Sequence, residues 1–233
     1  KIPFNHRSQY LFNSKINGLD ETDCLLIVGS NVREEAAIIN ARIRKQVISK
    51  DLPVALIGEN FDLTYNYEHL GNDVNILTDI LYDKNEFSKK FTEAKKPMLI
   101  IGQALLNRED SIQIYSLLET FIEKFNMVND EWNGFNVLQL SASRAGSLEV
   151  GCYQKNKNLD DILDDARNEK VKLLISFGAD EIDYENFEKS KIVYMGTHGD
   201  KGASKADIIL PSAAYTEKDG IYINTEGRPQ FAN

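Results

Sequence analysis

The sequence predicts an α/β fold: Rossmann-like units with mostly parallel sheet flanked by helices. Three observations carry that expectation. Short aliphatic runs that stop at glycine recur along the chain, glycine there letting the backbone turn sharply or a helix or ligand approach. Helical spacing of apolar residues separates several of them, giving a strand–helix–strand order that suits parallel βαβ units. The 233 residues fit one large domain or two small lobes.

Residues 23–29 give the first strand, Cys-Leu-Leu-Ile-Val running into Gly29. Ser30 or Asn31 is then expected to cap a helix, both being favoured cap residues, with Ala36, Ile39, Ile43 and Val47 on its apolar face. Residues 54–57 form a second apolar strand, ended by Gly58. Residues 64–71 are polar and aromatic and read as an irregular connection. Helices are expected over 74–81 and 86–94. Lys95-Lys96-Pro97 introduces Met-Leu-Ile-Ile, a third strand, ending at Gly102. The helix at 112–125 places Ile114, Leu117, Leu118, Phe121 and Ile122 on one face. A weaker strand is read at 137–140, an acidic helix at 159–168, and strong strands at 171–177 and 191–195, which stop at Gly178 and Gly196. A lobe boundary is expected near Ala94, dividing a first Rossmann-like lobe, 1–94, from a second α/β lobe, 95–233.

Near the end, Ile208 to Leu210 read as a short strand buried on both faces, because a continuous apolar run suits such a strand. Pro211 lacks an N–H and ends the ladder. Ser212, Ala213 and Ala214 are small, Lys218-Asp219-Gly220 is turn chemistry, and residues 221–223 make a brief further strand. Asn224 to Gly227 then form a polar loop, of the kind that holds ligands at the carboxyl ends of strands in open α/β sheets.

The formal net charge is −9. That argues against nucleic acid, which requires a basic face, and against insertion at an anionic membrane surface. No apolar run approaches the roughly 20 residues of a membrane helix. The two cysteines, Cys24 and Cys152, stand in dissimilar settings with no Cys/His ligand spacing, so no iron–sulfur or zinc site is expected on the chain. No disulfide framework is read, which suits a reducing compartment. The sequence opens on Lys1-Ile2-Pro3 without Met, as expected of a piece of a longer polypeptide.

Two motifs carry a family resemblance. Residues 206–228 resemble the C-terminal signature of the molybdopterin oxidoreductase superfamily, and Gly29-Ser30-Asn31 before a helix resembles its strand-turn-helix signature. Asn40-Ala41-Arg42-Ile43-Arg44-Lys45, Val54-Ala55-Leu56-Ile57-Gly58, Asp62-Leu63-Thr64-Tyr65, His69-Leu70-Gly71, Ala94-Lys95-Lys96-Pro97-Met98 and His198-Gly199-Asp200 are similar to one branch. That branch is the large iron–sulfur subunits (75 kDa or G type) of respiratory NADH–quinone oxidoreductase, complex I. The resemblance runs from Arg7 to Gln230. It implies a parent with iron–sulfur clusters in an N-terminal region not present here, and a scaffold role for this part with no redox cofactor of its own. It implies other hydrophilic-arm subunits of complex I as partners and no small-molecule substrate. The implied place is the cytoplasmic side of a bacterial inner membrane or the mitochondrial matrix side. Departures stand beside it: Val32 replaces the proline usual after Gly-Ser-Asn, and Glu59-Asn60-Phe61 stands where catalytic relatives often hold a guanine nucleotide.

The strand ends argue in the same direction. A pyrophosphate needs free helix N-termini, glycine-rich backbone and Arg or Lys. Here Glu34 and Glu35 follow the first strand, partly offset by Arg33; Glu59 and Asp62 follow the second; Asp180, Glu181 and Asp183 follow the fifth. A diphosphate beside them would meet like-charge repulsion, and neither Gly-x-Gly-x-x-Gly nor a Walker loop is present. An acid on a ribose hydroxyl or on Mg²⁺ is the competing possibility.

The vestigial pocket candidates are therefore Gly29, Ser30 and Asn31 with Thr225, Glu226, Gly227 and Arg228. The last four are favoured as a structural lock with Arg228 paired to a carboxylate. No catalytic residue and no metal ligand is assigned. Asp160, Asp161, Asp164 and Asp165 read as a solvated helix face, His6, His69 and His198 as turn or packing residues, Cys24 as a small core residue and Cys152 as a passive thiol. Ser143 and Ser147 lack the Gly-x-Ser-x-Gly elbow. Two alternatives remain: a fragment of an active molybdopterin enzyme, and a nucleotide-binding regulator.

Overall fold

A computed structural model describes residues 6–152 and 157–233. The chain divides into two compact units, one running through Gly151 and taking in Tyr222–Gln230, the other comprising Cys152–Ile221 and Phe231–Asn233.

The first unit builds β1 (Cys24–Val28), α1 (Val32–Glu35), α2 (Ala37–Lys50), β2 (Val54–Ile57), β3 (Glu68–Gly71), α3 (Asn75–Leu81) and α4 (Phe87–Glu93). It continues through β4 (Pro97–Ile101), α5 (Gln103–Leu106), α6 (Ser111–Lys124), β5 (Phe135–Val137) and α7 (Arg144–Glu149). The five strands pair in parallel in the order β3-β2-β1-β4-β5. Every residue of β1, β2 and β4 is buried, because helices cover both faces and continuous aliphatic runs are what such strands require. On one face, Ile39 and Ile43 of α2 pack with Leu25, Ile27 and Leu56. On the other, Leu77, Phe91, Leu118 and Phe121 from α3, α4 and α6 pack with Leu26, Val28 and Leu99. Phe91 meets Phe87 and Phe121 edge-on at 5.5 and 5.6 Å, contacts worth about 0.5–1.5 kcal/mol each beyond their burial.

Three sequence expectations shift here. The connection read at 64–71 ends in strand β3, an exposed edge whose Glu68 and His69 give no apolar alternation; the main-chain pairing with Ala55 and Leu56 makes it. The strand read at 137–140 lies at Phe135–Val137, its centre masked by the buried polar Asn136, which accepts from the Ser14 N–H at 2.9 Å. The lobe boundary expected at Ala94 falls between α4 and β4, and β4 pairs directly with β1 along five residues, so the sheet is continuous across it.

The second unit holds α8 (Leu159–Arg167), β6 (Leu173–Phe177), β7 (Lys191–Gly196), α9 (Lys201–Lys205) and β8 (Ile208–Pro211). Its strands are parallel, in the order β6-β7-β8. Ala166, Tyr184, Phe187 and Ile192 form its core, with Ile162 and Leu163 of α8 packed against them. Ile208–Leu210, expected to be buried on both faces, are 54, 52 and 42% exposed. β8 is an edge strand, and the packed side chains lie on one face of its sheet. After it, β9 (Gly220–Ile223) and β10 (Pro229–Ala232) form a two-stranded sheet.

Candidate functional site

The order β3-β2-β1-β4-β5 reverses direction at β1, and open sheets of this kind take ligands in the crevice beyond the carboxyl ends of the strands at such a reversal. Here backbone fills that position. Gly29 leaves β1 at φ +64°, a conformation that favours glycine. A Cβ on Gly102, at the end of β4, would lie 2.2 Å from the Gly29 carbonyl oxygen and 2.6 Å from Ser30 Cβ. A Cβ on Gly29 would lie 3.1 Å from the Leu105 nitrogen in α5. The glycines are needed for the protein to close on itself.

The N-terminus of α1 is also occupied. The buried Ser30 donates its hydroxyl to Glu35 Oε2 at 2.8 Å, and the Asn31 N–H donates to Glu35 Oε1 at 3.0 Å. Asn31 is the N-cap, yet its side chain makes no capping bond; the Glu35 carboxylate instead accepts the N-cap's own N–H, the return half of a capping box. Asn31 Oδ1 is buried without a hydrogen-bond partner among the described residues. It is an acceptor, so it offers nothing to an anion.

A small cavity of about 150 Å³ remains beside the ends of β1 and β2, between Gly29, Gly58, Asn72, Leu105 and Arg108. That is about half the lower bound for a usual ligand pocket, roughly 300 Å³. Arg108 at its rim is engaged by Asp110 through two bonds, Nε–Oδ1 2.7 Å and Nη2–Oδ2 2.8 Å. Hydrogen bonding to Arg108 holds the Asp110 carboxyl below the usual carboxylate range.

The other four candidates have different partners. The Thr225 carbonyl accepts the Phe12 N–H at 2.9 Å, Glu226 Oε1 accepts the Ile16 N–H at 3.0 Å, and the Gly227 carbonyl accepts from Arg7 Nη2 at 2.7 Å. Arg7 also pairs with Glu149 at 2.8 Å. Arg228 lies 3.3 Å from Glu226 Oε2; that oxygen and Thr225 Oγ1 are buried without a hydrogen-bond partner among the described residues. These contacts tie the returning segment to residues 7–16, whereas Gly29, Ser30 and Asn31 bond within the β1–α1 turn and to β2.

The second unit repeats the device. Asp180, just beyond β6, accepts the Gly202 N–H in the first turn of α9 and the Tyr194 hydroxyl, each at 2.8 Å. That hydroxyl bond pushes the Tyr194 phenol up to about 12. Ser176 and Tyr184 share a 2.8 Å bond beneath it, and Tyr184 donates to the Ala179 carbonyl. In the sequence Asp180 shows only as repulsive charge; its role as an internal cap depends on the fold, since Gly202 is 22 residues away.

A larger cavity, about 760 Å³, lies at the amino-terminal edge of β2 between Val47, Leu52, Pro53, Tyr65 and Tyr67. It sits at the opposite end of the sheet from the reversal; of its charged liners Asp51, Glu68 and Lys90, the last two pair at 3.0 Å. Nothing in the sequence marked it. Cys24 is buried in β1 and Cys152 exposed. His69 Nε2 lies 2.7 Å from the Gly58 carbonyl and His198 Nδ1 2.8 Å from Thr197 Oγ1. On α8, Asp164 pairs with Arg167, and Asp165 with Lys157 and Lys170. Among the described residues, no group of three His, Cys, Asp or Glu side chains is placed to hold a metal ion, and no helix is long and apolar enough to cross a membrane.

Comparison with known proteins gives a consistent result. Residues 2–233 match the family described as molybdopterin oxidoreductase. The G-type subunit of the NADH-quinone oxidoreductase of Rickettsia typhi is 42% identical over 232 residues, which is 100% of this chain and 33% of that protein. The mitochondrial NADH-ubiquinone oxidoreductase 78 kDa subunit of Neurospora crassa is 44% identical over 97% of this chain and 29% of its own length. The NADH-ubiquinone oxidoreductase 75 kDa subunit of Reclinomonas americana is 41% identical over 96% and 32%. The chain thus spans about a third of the length of the curated relatives it matches.

Proposed function

The chain belongs to the molybdopterin oxidoreductase family, and from that premise we propose that it is a cofactor-free structural segment of the iron–sulfur subunit of an NADH–quinone oxidoreductase. Its work is to hold cluster-bearing neighbours at fixed spacing for electron transfer from NADH to quinone. The clusters belong to an N-terminal region of the parent, and the partners are other subunits of the hydrophilic arm. The location is peripheral, on the cytoplasmic face of a bacterial membrane or the matrix face of the mitochondrial one. The names of the relatives support this reading.

One observation carries the cofactor-free part: internal carboxylates already hold the groups a phosphate would use. Glu35 takes the Asn31 N–H, Asp110 takes the Arg108 guanidinium, and Asp180 takes the Gly202 N–H. Bringing a pyrophosphate in would mean displacing a carboxylate from each donor, at a cost in like-charge repulsion and lost bonds. With Gly102 and Gly29 in backbone contact, the residues present do not fit a pterin dinucleotide.

Titration calorimetry of the chain with a pterin dinucleotide, NAD, ATP and GTP tests this. The expected result is no binding at micromolar concentration and no shift in melting, a sensitive readout because any ligand favouring the folded state raises it. A micromolar dissociation constant for any of the four, or stoichiometric molybdenum in the purified full-length subunit, overturns the reading.

A further inference from the structure

Helix α2 carries apolar residues on two faces. Ile39 and Ile43 turn to the sheet and are buried. Ile38 and Ile48 turn away from it and are 71 and 62% exposed. Ile38, Ala41, Lys45 and Ile48 follow one another at intervals of three, four and three residues, so they form a single stripe on the outer side of the helix. Ala41 and Lys45 are exposed as well. A helix on the surface of a sheet needs one apolar face; a second apolar stripe calls for a second cover. Ile48 also lines the cavity of about 760 Å³, so the stripe runs into a groove between the end of α2, the start of β2 and residues 64–68.

Charge says what the cover is made of. The chain carries a net −9, yet α2 holds Arg42, Arg44, Lys45 and Lys50 and no acid. Arg42 pairs with Asp20 at 2.7 Å, and Lys50 donates to the Asp20 carbonyl. Arg44 donates to the neutral Thr64 carbonyl at 3.3 Å, which leaves its charge unmatched, and Lys45 Nζ has no partner among the described residues. A second copy of α2, laid antiparallel, would set Ile38 against Ile48 and Ala41 against Lys45. It would also set four cations against four, and like charges across an interface oppose binding. A lysine at the centre of the stripe is equally out of place in a core, where an unpaired Lys is almost never buried. It suits a contact between separately folded chains, in which one polar residue among apolar ones fixes the register.

We propose that the outer face of α2 seats an amphipathic helix of another subunit, one that presents Leu, Ile or Val at the same spacing and an Asp or Glu opposite Lys45. The inference rests on the reading of the chain as part of a multisubunit oxidoreductase and adds to it a face and a partner chemistry. From Ile38 to Ile48 the stripe is about 15 Å long and one helix, ~10 Å, wide. That is far smaller than the ~800 Å² each partner gives to a standard interface, so the contact is one of several that hold the subunit in its assembly. Asp51, on the wall of the cavity, is the first acid after the helix, so the acidic part of the partner lies over residues 41–48.

Crosslinking and cysteine protection test it, on the full-length subunit alone and on the assembled enzyme purified from the source cells. A carbodiimide joins an amine to a carboxylate with no spacer, so it reports ion-pair contact. The expected result is a crosslink from Lys45 to an Asp or Glu of a different subunit, lost in Lys45→Arg, which keeps the charge but not the amine. Ala41→Cys, followed by mass spectrometry of its own peptide, is expected to react fast with a maleimide in the free subunit and about tenfold or more slowly in the assembly. Protection already present in the free subunit overturns the proposal, in favour of the same chain if it is independent of concentration and of a second copy if it is not. Protection in the assembly without a Lys45 crosslink to another subunit overturns the acidic helix as occupant. A subunit that purifies without other subunits overturns this proposal together with the reading it rests on. Co-purification with Ala41→Cys still reactive overturns this proposal alone.

Discussion

The carboxylate of Glu35 folds back onto the main-chain N–H of Asn31, 3.0 Å away and four residues earlier. The usual capping-box carboxylate stands three residues after the N-cap; here it stands one later, and its second oxygen also holds Ser30. The chain therefore places its own anion where a nucleotide-binding turn would receive one. Glu35→Ala leaves the Asn31 N–H and the Ser30 hydroxyl without this acceptor. It is expected to cost about 1–2 kcal/mol, read as a lower urea midpoint, with Glu35→Gln recovering part of the loss. Neither variant gains a melting shift with NAD, because the Gly29–Gly102 contact still closes the crevice.

That contact makes its own prediction. Gly102→Ala drives a methyl to 2.2 Å from the Gly29 carbonyl, and β1 and β4 cannot part to receive it without breaking a ladder along five residues. A loss of about 3 kcal/mol is expected, the upper end of ordinary overpacking, measured by urea unfolding. Gly199→Ala is the control: its Cβ would meet nothing within 4 Å, so a change within about 0.5 kcal/mol is expected.

Most of the fold is legible wherever burial dictates composition. β1, β2 and β4 are sheathed on both faces and read as unbroken aliphatic runs, and α6 shows its stripe because Ile114, Leu118 and Phe121 all face one core. β3 is invisible for the converse reason: an edge strand carrying Glu68 and His69 is held by main-chain bonds, which leave no trace in side-chain pattern. The Ile208–Leu210 run shows the limit of the rule. Its apolar composition is that of a covered strand, and its exposure reflects the bare face and edge position that sequence cannot display. At the candidate site, glycines and nearby acids were readable; that Glu35 and Asp180 are caps was not, because each bond depends on how a turn returns the chain.

Alkaline pH probes both units at once. Burial, with Asp23 adding to it, pushes the Cys24 thiol from 9.0 to about 12, and the bond to Asp180 pushes the Tyr194 phenol from 10.0 to about 12. Both groups keep their protons in the folded state at a pH where the unfolded chain has lost them. Their contribution is whole below pH 9 and is lost as pH rises from 9 toward 12. Cys24 alone gives a slope of at most about 1.4 kcal/mol per pH unit. Urea midpoints should fall across this range, and Cys24→Ala should flatten the slope even if it lowers stability overall. Tyr194→Phe should remove one late-titrating phenol from the ultraviolet titration curve, leaving those of Tyr65 and Tyr115, which burial also pushes up.

The pair Glu226 and Arg228 separates a lock from a ligand site. Glu226 is the buried member, its carboxylate 8% exposed, and it holds the Ile16 N–H as well as facing Arg228. Arg228 is 58% exposed, so its share of the pair is screened by water. If the segment acts as a lock, Glu226→Ala should cost about 2 kcal/mol, through an orphaned N–H and a vacated buried position. Arg228→Ala should cost under about 1 kcal/mol, as exposed pairs do. A double-mutant cycle should then give a coupling below about 1 kcal/mol. If Arg228 instead waits for a phosphate, the wild-type chain should be stabilised by millimolar pyrophosphate and Arg228→Ala should abolish the effect. The Ile16 N–H held by Glu226 argues for the lock; Arg228 approaches Glu226 Oε2 to 3.3 Å without a hydrogen bond to that oxygen.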